Sequence, residues 1–249
     1  DEGAHNPGMD AVSIVEGGSL TLENVTLNIS KTGDGKNATQ GIYNDGTLKL
    51  GQDATVTIGG VSQNGINGSG ALSVESAELT VQNVAGTAVK AGATSISNST
   101  VSVTGTGAHG ISVTDLTVTG DAAVTVNDAA YYGVRASGDV SMSGENTEVT
   151  VKNSSNDTIE GEEGEPTTFS ESGLGSDSTS TISLTGTISG EDIQVLGNGK
   201  TTVDGAAITG NVTNAGTGAM TIANSAISGN LASETGTVTL KGTTVSGTQ

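Results

Sequence analysis

The sequence predicts an all-β protein wound as a parallel β-helix of about ten coils, and three observations carry that expectation. Short alternating runs rich in β-branched residues occur along the whole chain. Landmarks recur at intervals of roughly 18–24 residues and hold their register, the mark of a stacked repeat. Aromatic residues make up only 2% of the 249 residues, which suits an interior too narrow for rings.

The runs come first. Ser19 to Leu22, Ala54 to Ile58, Leu79 to Val81, Val101 to Val103, Val124 to Val126 and Val149 to Val151 alternate with period two. Each lies close to Gly, Asn or Asp, which is the signature of strands closed by turns. A sustained period of 3.6 is absent. The composition by itself resembles that of a disordered chain, with 39 glycines and 27 acids against 8 bases, net charge −19. The strand periodicity argues against that reading.

The repeat is legible in one dipeptide. Gly or Ala precedes Ile or Val at Ile42, Ile66, Val89, Ile111 and Val134, a step of roughly 23 residues each time. Ala11-Val12 reads as an earlier copy, with 31–37 as an inserted loop. Beyond Ser180 the period shortens. Leu184, Val203, Ile222 and Leu240 follow one another at roughly 19 residues, and Ile193, Val212 and Leu231 keep step with them. One coil cannot bury its apolar face alone, whereas coils stacked at about 4.8 Å pair each strand with its counterpart. An antiparallel β-sandwich is the rival fold, and it has no reason to keep such a register. The expected organisation has three parts. Positions 1–153 form coils of about 23 residues and 180–249 form coils of about 19 residues, continuous with the first part. Between them 154–179 is an acidic loop.

Several function classes are disfavoured. The acidic balance provides no basic face for nucleic acid. No apolar run approaches the length of a membrane span. The chain has no cysteine, hence no disulfide and no thiolate metal site. The start at Asp1 reads as that of a mature or excised segment. His5 and His109 have no partner at ligand spacing, and Arg135 is the single arginine. No nucleophile elbow with a histidine partner and no full phosphate loop is apparent, so no catalytic residue is assigned and no enzyme activity is expected. No cofactor is expected. Clustered carboxylates at Glu160, Glu162, Glu163, Glu165 and Glu171 suit a hard cation such as Ca²⁺, but the reading taken is a solvated acidic loop. The Gly-Asp-Gly within 31–37 is a lesser cation candidate. The Thr-x-Thr pairs at Thr55, Thr117 and Thr237 are ascribed to strand propensity. Asn24, Asn98 and Asn224 are ascribed to turns.

One stripe remains. The residue after each landmark is Tyr43, Asn67, Lys90, Ser112 and Arg135, and strand alternation points all five outward in consecutive coils. His109 and Tyr132 hold a second matched position, with Tyr131 adjacent. All three tyrosines, the arginine and one histidine thus gather on or near one ladder, and Tyr and Arg are enriched in binding hot spots. The ladder lacks the paired carboxylates of an acid–base site.

Coils such as Gly41-Ile42-Tyr43-Asn44-Asp45-Gly46-Thr47-Leu48-Lys49-Leu50, and the unit from Ala219 to Asn230, resemble the passenger domains of bacterial autotransporters, in particular the self-associating adhesins. The likeness covers nearly the whole chain and is one of strands and turns, without an active-site motif. It implies a right-handed β-helix at the bacterial cell surface, acting as a non-enzymatic adhesin. Its partner would be a second copy of itself or a surface ligand, protein or glycan. A β-helix polysaccharide lyase or hydrolase, a tailspike-like carbohydrate-binding protein, and a structural filament subunit are the alternatives.

Overall fold

The computed structural model describes residues 10–30, 38–131, 133–137, 140–143, 148–152, 167–169, 181–195 and 200–249. All regular elements among them are strands. Every pairing recorded between these strands is parallel, which excludes the antiparallel sandwich.

The chain passes through three strands in turn and then repeats the cycle, each strand pairing with its counterpart one cycle on. The first ladder holds Asp10–Ile14, Gln40–Asn44, Ile66–Asn67, Val89–Ala91, Ile111–Val113 and Val134–Ala136 in that order. The second runs from Ser19–Leu22 through Thr47–Leu50, Ala71–Glu75, Thr94–Ser97 and Leu116–Thr119 to Val140–Ser143. The third runs from Thr26–Ser30 through Thr55–Gly59, Glu78–Val84, Thr100–Thr106 and Ala123–Ala129 to Glu148–Lys152.

After the acidic segment the strands lengthen. Thr181–Val195 and Lys200–Asn214 pair over their lengths, with register shifts between Leu184 and Gly186 and between Ser189 and Asp192. Each long strand therefore covers the course of three short ones, with a shift where a corner stands elsewhere. Val140 pairs with Ile182 and Val149 with Ile188, so the second and third ladders run on into this part. The expected register is present: Leu184 pairs with Val203, Val203 with Ile222, and Ile222 with Leu240. Within the segment read as a loop, Thr167–Phe169 is a strand paired with Ile193 to Val195. The rest of 154–179, with its carboxylate cluster, and the 31–37 stretch lie outside the described residues.

Like residues stack on like, and this explains the core. The column Ile42, Ile66, Val89, Ile111 and Val134 is at most 2% exposed. Leu50, Val74, Ile96 and Val118 form another, and Ile58, Val81, Val103 and Val126 a third. Each fully buried side chain of this kind contributes roughly 1.5–3 kcal/mol of transfer free energy. Where Thr94 enters such a column it is buried, and its hydroxyl donates to the Gly92 carbonyl at 3.2 Å.

The corners explain the landmark and the asparagines. A Cβ on Gly41 would stand 2.5 Å from both the Gly65 carbonyl oxygen and Ile58 Cγ2. The position where the third ladder hands over to the first is accordingly Gly at Gly41, Gly65 and Gly110 and the smallest side chain, Ala, at Ala88. Between the second and third ladders the chain turns through positive φ at Asn24 (52°), Asp53 (55°), Ser76 (53°), Asn98 (47°) and Asn224 (47°). Asn and Asp tolerate that conformation better than other side-chain-bearing residues. The turn role expected for Asn24, Asn98 and Asn224 is what the backbone shows.

Candidate functional site

The stripe singled out in the sequence is a physical column on the outer surface of the first ladder. Tyr43 pairs with Asn67, Lys90 with Ser112, and Ser112 with Arg135. The pairing of Ile66 with Val89 sets Lys90 next after Asn67. Lys90 is exposed and the other four are half-buried, while the landmark residue before each is buried. Strand alternation alone produces this arrangement. The column also extends one residue further than the sequence reading took it, because Ser13 pairs with Tyr43. The signal was present: Ser13 follows Val12, the copy recognised as the earliest.

The two ends of the column differ. At one end the Tyr43 hydroxyl donates to the Asp45 carboxylate. Asp45 Oδ1 also accepts the Ser69 backbone N–H at 3.0 Å and the Ser69 hydroxyl at 3.1 Å. This carboxylate stitches two consecutive turns together and holds the phenol in place. At the other end His109 packs against Tyr131, with ring centroids 5.7 Å apart at 45°. Burial, then the positive charge of Arg135, lowers the His109 pKa to about 4. The imidazole is therefore neutral at physiological pH, and Arg135 carries the charge there. Tyr131 is 45% exposed. Tyr132 lies outside the described residues.

His109 belongs to a corner column whose earlier members have a structural task. Gln40 Oε1 accepts the Asn64 N–H at 3.2 Å, and Asn64 Oδ1 accepts the Thr87 N–H at 2.7 Å. Gln40 Nε2 donates to Gln63 Oε1 at 3.0 Å. Thus Gln40 and Asn64 each satisfy a backbone donor of the following turn. Asn211 and Asn230 repeat the device in the second part, accepting the Asn230 and Thr248 N–H groups, each at 2.7 Å. His109 and Tyr131 replace that polar chain with a ring pair.

The structure thus brings His109, Tyr131 and Arg135 together, sets Tyr43 several strands away, and joins them through Asn67, Lys90 and Ser112. Chemically, the column offers one phenol, two cations and small hydroxyl and amide groups along one line, with the Tyr131 ring on His109 near its Arg135 end. Among the described residues, no group of three or more His, Asp or Glu is placed to hold a metal ion, and no helix is long and apolar enough to cross a membrane. Comparison with protein-family models, with curated proteins and with solved structures finds no match.

Proposed function

We propose that the chain is a right-handed parallel β-helix of about ten coils stacked at about 4.8 Å, serving as a non-enzymatic adhesion module at a bacterial cell surface. It associates with a second copy of itself through the outer column from Tyr43 to Arg135. The observation that carries this reading is the column itself, an outward line that holds Tyr43 and the cations Lys90 and Arg135, with Tyr131 packed on His109 near its Arg135 end. On a chain of net charge −19, two cations on one line are attractive to the acidic surface of a neighbour, including the sequence from Glu160 to Glu165. The likeness of the coils to autotransporter passenger domains supports the setting.

The experiment is sedimentation sizing of the whole chain across a salt series, with Lys90→Glu/Arg135→Glu as the comparison. Association of the wild type weakens as salt rises, because exposed charges more than about 10 Å apart are largely screened at about 0.1 M. The double variant stays dispersed at every salt concentration with its fold intact. If the two proteins behave alike throughout, the column is only a solvated face and the reading fails.

A further inference from the structure

A second surface feature lies at a different place, the corner between the second and third ladders. There a cavity of about 400 Å³ opens along three successive turns, a volume within the range of small-molecule sites. Its floor is made by small buried residues in one column, Ala54 and Ala77. One wall is the positive-φ column Asp53, Ser76 and Asn98; the other is the paired column Thr55, Glu78 and Thr100.

The cavity has defined ends. On the preceding turn the position equivalent to the floor is Val25, whose carbonyl accepts the Thr55 N–H and whose larger side chain is exposed rather than small and buried. On the following turn the equivalent wall positions are Gly120 and Ala123, and the extra residue between them, Asp121, closes on Asn98 through its backbone N–H. The groove is thus the stretch of corner where the floor is small and both walls are polar.

The wall groups select the ligand. The hydroxyls of Thr55, Ser76 and Thr100 both donate and accept, the Asp53 and Glu78 carboxylates accept, and Asn98 has an Nδ2 amino group to donate. Asn98 Oδ1 is already engaged by the Asp121 N–H at 3.2 Å. The lining holds no cation, aromatic ring or large aliphatic side chain, so it matches neither an anionic nor an apolar ligand. Carboxylates take paired hydroxyls through charge-assisted hydrogen bonds. The wall groups recur at the strand spacing of about 4.8 Å, so a short linear molecule with repeating hydroxyls meets similar groups on each turn. We infer that this corner groove is a binding site for a neutral, hydroxyl-rich oligosaccharide, separate from the outer column and independent of its role.

The test is amide NMR titration of the whole chain with cellotriose, maltotriose and β-1,4-mannotriose, and in separate arms with trigalacturonate and trilysine. At least one neutral trisaccharide shifts the amides of 53–55, 76–78 and 98–100 and leaves Met220 to Ile222 unmoved, while trigalacturonate does not. Asp53→Asn/Glu78→Gln retains hydrogen-bonding groups without their charge and weakens binding only severalfold. Asp53→Ala/Glu78→Ala weakens it about tenfold or more, with the distant amides reporting an intact fold. Should that pair fail to fold, Thr55→Val/Thr100→Val carries the same expectation. The inference is overturned if none of the three neutral sugars moves these amides, or if the shifts fall elsewhere. It is also overturned if trilysine moves the same amides and the Asn/Gln pair abolishes that response, which makes the groove a site for cationic side chains.

Discussion

Replacing Ile222 with alanine removes three carbons from a side chain that is fully buried between Val203 and Leu240. At about 0.8 kcal/mol per buried carbon, the lost transfer free energy is roughly 2.4 kcal/mol. The stacked neighbours are held by their own strand pairings and cannot collapse freely into the gap. A cavity contribution therefore adds to this, and the total falls at about 3–5 kcal/mol. Ile222→Asp costs more, because a carboxylate there has no partner. Thr221→Ala, one residue away on the outward side, changes stability by less than about 0.5 kcal/mol. Stacked repeats need not unfold in one step, so the assay is hydrogen exchange resolved to individual amides. Ile222→Ala accelerates exchange at Val203, Ile222 and Leu240 before it does so at Ile42 or Ile66, and Thr221→Ala leaves all of them unchanged. If Thr221→Ala matches or exceeds Ile222→Ala, inward stacking of this column is refuted.

The corner at Gly65 is tighter than most core positions, since a Cβ there would stand 2.5 Å from the Ala88 carbonyl oxygen and press on Val81. Gly65→Ala therefore destabilises by about 1–3 kcal/mol, read as a lower denaturation midpoint, whereas Ala88→Gly costs only about 1 kcal/mol. Asn98 sits at φ 47°, so Asn98→Gly is well tolerated while Asn98→Val costs about 1–2 kcal/mol, measured in the same assay. His109 has a folded pKa near 4 against an ordinary value of 6.5, so the unfolded chain binds its proton first as pH falls. The stabilisation tied to the neutral imidazole is whole above pH 6.5 and drains away between 6.5 and about 4. Melting curves through that window show the wild type losing stability relative to His109→Gln, and parallel curves refute the assignment.

The legible part of this protein was the part that repeats. A parallel stack sets each residue on its counterpart one turn away, so the fold writes a period into the chain. That period exposed the column from Leu184 to Leu240, the outward line from Tyr43 to Arg135 and the turn residues Asn24, Asn98 and Asn224. Ser13 was overlooked although the same rule reaches it. Thr167–Phe169 was hidden because the serine- and glutamate-rich sequence around it interrupts the register. The reason for the Gly-Ile landmark was also invisible, since it lies in Ile58 and Val81, which reach the corner from another ladder. The groove at Asp53, Ser76 and Asn98 repeats a backbone conformation rather than a residue type. Asp53, Ser76, Asn98 and Gly120 take up this positive φ in successive turns, so no recurring letter marks it. His109 likewise carries nothing in its neighbours along the chain to show that it packs on Tyr131 and feels the charge of Arg135. Periodicity along the chain therefore determined the strands, their register and the facing of their side chains. Whatever depends on distances across corners and between ladders, including the low pKa of His109 and the shape of the groove, was decided only when the chain closed its turns and brought residues a full turn apart into contact.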